Sequence, residues 1–262
     1  IYENGDLIDI YYVDIFIAVV KEAIKKSSWY LLPKYSKSSI DEWREYLERP
    51  NAIKILWPSQ QLIGENDILL GGSAIIQLPT GVGKTRSIEL IIRAAFLAER
   101  ASTAIIVAPL RSLCNEITSD LIQAFGDEVI INQFSDVLQE DFLFDLSILF
   151  KKRIIICTPE KLSYIMHHQA DILTEIDLFI FDEGHMFDDG TRGVLYELLV
   201  SEIRNQITDP KQLVLLSAVL SNAEQIKEWL LGEDGKLATS DKIKATPKSI
   251  GFTSKTKDIN YF

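Results

Sequence analysis

The sequence predicts an α/β domain whose parallel sheet is flanked by helices on both faces. Two observations predict it. From Ala52 onward short β-branched runs alternate with longer amphipathic stretches, the rhythm of successive βα units. Several of those runs are apolar at consecutive positions, as strands covered on both faces require, where a half-exposed strand would alternate.

Taken in order, residues 1–50 differ in texture from the rest, being rich in Tyr, Trp and helix formers. They predict an N-terminal helical segment with helices around Ile10–Ile24 and Ile40–Leu47 and stop signals at Pro33 and Pro50. Ser38-Ser39, followed by Asp41 and Glu42, supplies the start of the second helix. Strands are expected at Ala74–Gln77, Ala104–Ala108, Val129–Asn132, Arg153–Cys157, Leu178–Phe181 and Leu213–Leu216. Between them helices are expected near 84–99, 111–125, 160–168, 191–206 and 222–231, with Trp229 of the last one in the core. His167-His168 has no ligand-like partner spacing and reads as exposed helix surface, and the acidic Glu140-Asp141 stretch as solvated surface. After Gly235 the chain turns basic, with Lys236, Lys242, Lys244, Lys248, Lys255 and Lys257, and reads as a solvated connector. The expected division is thus a helical segment at 1–50, an α/β domain at 51–235 and a connector at 236–262.

Composition narrows the function. With 262 residues, 47% hydrophobic and 25% charged, the chain can bury one large core, which excludes disorder and fibrous architectures. No apolar run reaches the roughly 18 residues of a membrane span, so no membrane partner is expected. Cys114 and Cys157 make neither a disulfide framework nor a metal-ligand spacing, which points to the reducing cytoplasm. The chain begins with Ile1 and reads as an internal piece of something longer. A net charge of −11 argues against nucleic-acid binding through a broad positive field, so any such binding has to be local.

Two motifs carry chemistry. Gln77-Leu78-Pro79-Thr80-Gly81-Val82-Gly83-Lys84-Thr85 follows an expected strand and opens an expected helix, the setting of a phosphate-binding loop. Gly81 and Gly83 let backbone N–H groups converge on a polyanion at a helix N-terminus, Lys84 reaches the β and γ phosphates, and the Thr85 hydroxyl ligates Mg²⁺. Leu78 stands where the strict loop pattern has glycine. Downstream, a buried strand delivers Asp182-Glu183-Gly184-His185 at its C-terminal end. Adjacent residues on extended backbone point apart, so Asp182 can serve Mg²⁺ while Glu183 orients and deprotonates water.

Pro79–Thr85, Asp182–His185 and Ser217-Ala218-Val219 occur in the order and spacing of the first RecA-like domain of superfamily 2 helicases, and the chain resembles that family over about residues 55–232. The Asp-Glu-Gly-His form, with Asp188–Gly193 behind it and Leu216–Ala223 later, is most similar to the superkiller-type DExH branch. Its context, Phe187-Asp188-Asp189-Gly190, resembles bacterial DNA helicases of anti-phage systems such as Hachiman.

The resemblance implies a RecA-like P-loop NTPase fold with ATP and Mg²⁺ as cofactors, the nucleotide resting on Pro79, Thr80, Gly81, Val82, Gly83, Lys84 and Thr85. Gln60 of Trp57-Pro58-Ser59-Gln60 matches the family's adenine reader, with Gln61 as its neighbouring alternative. Pro109 and Arg111 of Ala108–Leu113, and Thr158, Pro159 and Lys161 of Thr158-Pro159-Glu160-Lys161, match the motifs that touch a nucleic acid backbone. His185 and Ser217 match coupling residues, although Val219 replaces the family's usual Thr and its hydroxyl. No Gly-Arg-x-Gly-Arg occurs in the sequence, so the arginine finger is expected from a second RecA-like domain.

The expected function is an ATP-dependent helicase motor on single-stranded nucleic acid, DNA before RNA. An effector protein is a further expected partner. Two rivals keep the nucleotide site: a double-strand translocase, and an ATP-binding sensor or scaffold without useful catalysis. Intact Lys84, Asp182 and Glu183 argue against the second, and the Pro109 and Pro159 motifs argue against a small-molecule kinase.

Overall fold

A computed structural model describes residues 6–79, 81–134, 152–168, 172–188, 190–206, 211–218, 220, 222–240, 243, 251–253 and 259–261. Thr80, Val219, Glu140-Asp141 and the lysines at 242, 244, 248, 255 and 257 lie outside them.

Seven strands form one sheet: β1 (Ala74–Gln77), β2 (Thr103–Val107), β3 (Ile130–Gln133), β4 (Arg153–Cys157), β5 (Leu178–Phe181), β6 (Gln212–Ser217) and β7 (Lys236–Ala238). Their order is β3-β4-β2-β5-β6-β1-β7, and every pairing is parallel. Consecutive apolar residues in these strands serve two cores, because strand side chains alternate between faces. Ile75, Ile105, Ile155 and Phe179 join one apolar cluster, while Ile76, Ile106, Ile156 and Ile180 join the other.

Helices α5 (Lys84–Leu97), α6 (Arg111–Phe125), α7 (Pro159–His168), α8 (Ile172–Glu175), α9 (Gly190–Gln206) and α10 (Ala223–Leu231) cover the faces. All but α8, which was not among the expected helices, fall where helical periodicity places them, to within a residue or two at most ends. Two short strands at Gly251–Thr253 and Ile259–Tyr261, β8 and β9, pair with each other antiparallel.

Before the sheet come α1 (Leu7–Lys26), α2 (Ser28–Ser36), α3 (Ile40–Glu48) and α4 (Pro58–Glu65). Ser39 caps α3 as expected: its Oγ accepts from Glu42 N at 3.3 Å, and its N–H donates to the Glu42 carboxylate. Pro33 does not stop a helix as expected, since it lies inside α2. Interior proline costs about 3 kcal/mol. Burying Leu31 and Leu32, at roughly 1.5–3 kcal/mol each, is large enough to offset that loss.

The helices of the first fifty residues are tied into the same core as the sheet. Leu31, Leu32, Trp43, Tyr46 and Leu47 are buried in the cluster that holds Ile76 and Ile106, whereas α1 buries no residue. A buried ion pair adds to this: Arg93 and Glu89, 4% and 2% exposed, lie one turn apart in α5. The Arg93 guanidinium sits 4.3 Å from the Tyr46 ring and 4.1 Å from the Phe125 ring, and donates to Ala124 O at 2.6 Å. The phosphate-loop helix is thereby fastened to α3 and α6. At the other end, Lys236–Ala238 is the seventh strand, in register with β1 through Ala74↔Lys236, although its sequence reads as the start of a connector.

Candidate active site

Ligands of such sheets bind at the carboxyl ends of the strands, and the motif residues gather there. At the end of β1, Leu78 is fully buried in the core and its N–H donates to Ser217 O at 2.8 Å. Its departure from glycine is therefore a packing choice. Gly81 and Gly83 have φ of 81° and 86°, the left-handed region where a side chain would be strained. Gly83 is the N-cap of α5 with no side-chain cap bond, so the first N–H groups of the helix face the loop as an anion-binding end. Ser59 Oγ donates to Val82 O at 2.7 Å and ties α4 to the loop.

Gln60 is 3% exposed and stands beside the loop, its Nε2 lying 3.7 Å from the point where a Cβ on Gly83 would sit. Its Oε1 accepts from Trp57 N at 2.8 Å. Pairing with adenine N6 and N7 together would use the second lone pair of that oxygen or displace the Trp57 N–H. Gln61 donates to Leu56 O at 2.7 Å and serves the start of α4.

β6 lies between β1 and β5, so Ser217 sits between the phosphate loop and the carboxylates, fully buried and in register with Gln77. At the end of β5, Glu183 spans that gap: Lys84 Nζ lies 2.9 Å and 3.0 Å from its two carboxylate oxygens, and His185 Nδ1 lies 3.2 Å from Oε2. Glu183 has φ of 55°, an uncommon conformation for a residue with a side chain. Asp182 is 7% exposed, and its Oδ1 accepts from Glu183 N at 2.9 Å. Burial first, and the neighbouring Glu183 second, push the Asp182 carboxyl up to about 6 against the attraction of Lys84.

A buried carboxylate with an anionic neighbour is a hard oxygen donor short of positive charge, which fits Mg²⁺. Among the described residues no group of three or more His, Cys, Asp or Glu could hold a metal ion alone. Mg²⁺ is commonly held by one or two carboxylates with substrate phosphates completing its shell. Asp182 and Thr85, in the first turn of α5, are the residues that would hold it.

The raised Asp182 pKa has a consequence for stability. Its contribution is fully present below the ordinary value of 3.8 and is lost as pH rises through about 6. Asp182→Asn should therefore stabilise the nucleotide-free, Mg²⁺-free protein at pH 8 by on the order of 2–3 kcal/mol and change little at pH 4. Urea melts at the two pH values check this. Equal effects at both would contradict the assignment.

The strand-end motifs at β2 and β4 are neighbours, since Ala108 N donates to Cys157 O at 3.0 Å. Pro109 and Pro159 are buried and shape the two turns. Arg111 is exposed at the start of α6, Thr158 and Lys161 are half-buried, and Lys161 Nζ lies 5.7 Å from the Tyr164 ring. The surface members of this patch are thus Arg111, Thr158 and Lys161. Trp229 is half-buried instead of lying in the core, and lines an open cavity of about 240 Å³ with His185, Leu220 and Glu197. His167 and His168 are exposed.

One site residue was invisible in the sequence. Tyr196 of α9 is 1% exposed, and its hydroxyl donates to Asp182 O at 2.8 Å and reaches Val107 O at 3.3 Å. On a helix with Leu199, Val200 and Ile203, a tyrosine reads as core, and nothing in the spacing signals its hydroxyl. Burial pushes its phenol well above the ordinary range, so it stays a donor.

Residues 58–226 match the family model described as DEAD/DEAH box helicase. The Hachiman protein HamB of Bacillus cereus is 32% identical over 194 residues, covering 73% of this chain and 17% of that protein. The U5 small nuclear ribonucleoprotein 200 kDa helicase of Homo sapiens is 31% identical over 163 residues, 60% of this chain and 8% of that protein. The ATP-dependent DNA helicase Hel308 of Thermococcus kodakarensis is 26% identical over 208 residues, 79% of this chain and 17% of that protein. The chain therefore spans less than a fifth of the length of each of these relatives. The family match takes in the phosphate loop, the Asp182–His185 turn and Ser217, and since it extends over more than half of the 262 residues, the chain belongs to the DEAD/DEAH box helicase family.

Proposed function

We propose that this chain is the ATP-binding motor domain of a cytoplasmic nucleic-acid helicase, coupling ATP hydrolysis to movement along or unwinding of a strand. The observation that carries the reading is the Lys84–Glu183 contact at 2.9 Å, across a strand, beside the buried Asp182. It joins a phosphate-binding cation, a water-activating base and a cation-binding carboxylate in one place.

Lys84 neutralises Glu183 through contacts of 2.9 Å and 3.0 Å. When phosphates reach the loop, they compete for Lys84, and Glu183 is released to orient water and accept its proton. Bound Mg²⁺ supplies neutralisation of phosphate charge. In this reading His185, against Glu183, and Ser217, between the two motifs, relay that change. A second RecA-like domain outside these residues supplies the arginine finger. Single-stranded DNA is the preferred substrate in this reading, supported by the similarity to a protein named as a DNA helicase. Similarity to a Hachiman protein accords with the anti-phage resemblance read in the sequence, and an effector protein is a further partner in this reading.

Strand binding by a protein of net charge −11 has to be local, at Arg111, Thr158 and Lys161. In the intact protein, Arg111→Glu with Lys161→Glu should weaken single-strand binding and lower its salt slope by about 0.7 per lost phosphate contact, with nucleotide affinity unchanged. Reversing Lys255 and Lys257 should matter less. Fluorescence anisotropy at several salt concentrations decides, and a silent Arg111/Lys161 pair beside a dominant tail pair contradicts the helicase-groove reading and favours a sensor.

A further inference from the structure

The Asp182–Glu183 peptide is held on several sides. Asp182 N donates to Val107 O at 2.9 Å, Glu183 N to Asp182 Oδ1 at 2.9 Å, and Glu183 O accepts from Met186 N at 2.9 Å. These bonds are local or belong to the sheet. The remaining group is Asp182 O, and the Tyr196 hydroxyl of α9 donates to it at 2.8 Å. That carbonyl belongs to the peptide that leads into Glu183, whose φ of 55° is a conformation sustained only by the contacts around it.

We propose that Tyr196 is a positioning residue for ATP hydrolysis: its hydroxyl fixes the plane of the Asp182–Glu183 peptide and so aims the Glu183 carboxylate at the nucleotide. The inference rests on the motor reading above. The same hydroxyl reaches Val107 O, the oxygen that also accepts from Asp182 N, at the end of the strand that runs into Pro109 and Arg111. With one proton to give, the Tyr196 hydroxyl commits it to Asp182 O, and its 3.3 Å approach to Val107 O sets the catalytic turn beside the strand that leads to the proposed strand-binding patch. Its ring is separately anchored beside Phe181, centroids 6.0 Å apart, so the packing survives removal of the oxygen.

The test is Tyr196→Phe in the intact protein, alone and combined with Glu183→Gln, assayed at least about 10 °C below the melting midpoint of each variant. The single variant should lower kcat about tenfold with KM and Kd for ATP within about twofold, because a misaimed base weakens the transition state and not the ground state. In the Glu183→Gln background Tyr196→Phe should change the residual rate by less than about twofold, since residues acting as a unit are not additive. A kcat within about twofold of an active parent overturns the proposal, as does a full tenfold loss in the Glu183→Gln background, which would mark a role elsewhere. A parent that hydrolyses no ATP overturns the motor reading and this inference together, whereas an active parent with an unaffected Tyr196→Phe overturns this inference alone.

Discussion

Glu183→Gln is expected to cut ATP hydrolysis by about 10² or more while nucleotide binding survives. An amide keeps the shape of the carboxylate but cannot take a proton from water. The structure adds a second expectation. Because Glu183 pairs with Lys84 at 2.9 Å, its neutralisation frees the lysine and removes a negative charge from the phosphate side of the site. ATP affinity should therefore hold or tighten. Single-turnover hydrolysis and equilibrium titration on the same preparation separate the two effects. Turnover within a few-fold of the parent would remove Glu183 as the base.

Lys84→Ala is expected to weaken ATP binding at least about tenfold, or roughly 1.4 kcal/mol. Lys84 is the only cation between Gln77 and Thr85, so its loss leaves the loop with backbone dipoles alone. The substitution also takes the ammonium from Glu183, a half-buried carboxylate beside Asp182, and leaves it the His185 contact at 3.2 Å. Removing a charged partner from a largely desolvated carboxylate is costly, so the protein should melt lower than the parent. Titration with a fluorescent ATP analogue, with thermal melts in parallel, measures both. Unchanged affinity would take the phosphate loop out of the account.

What was legible in the sequence follows physical lines. The strands were readable because Ile75, Ile105, Ile155 and Phe179 face one core while their neighbours face the other, which forces apolar runs. α6 and α7 were readable from a single buried stripe. α4 was not, because Pro58-Ser59-Gln60-Gln61 is polar although Ser59 and Gln60 are buried against the loop. β7 was missed because a three-residue strand headed by Lys236 resembles the basic stretch that follows it. Pro33 misled because local propensity was read without the burial of Leu31 and Leu32. The buried Arg93–Glu89 pair did leave a signal, two opposite charges four residues apart inside Ile88–Phe96, a spacing that lets them pair on one covered face of α5 but does not name α3 as what covers it. Within the site, residue types and order located Lys84, Asp182 and Glu183. Their mutual contact and the Tyr196 brace depend on strand order, which no local pattern encodes.

The central claim is that hydrolysis here is geared to a nucleic acid strand. The most direct measurement is steady-state ATPase of the intact protein with single-stranded DNA, single-stranded RNA or duplex added, each over a range of salt. The account predicts that a single strand raises turnover, DNA more than RNA or duplex, and that the stimulation fades as salt rises because phosphate contacts carry it. Turnover indifferent to every nucleic acid would contradict the motor reading, and stimulation by duplex alone would replace it with a double-strand translocase.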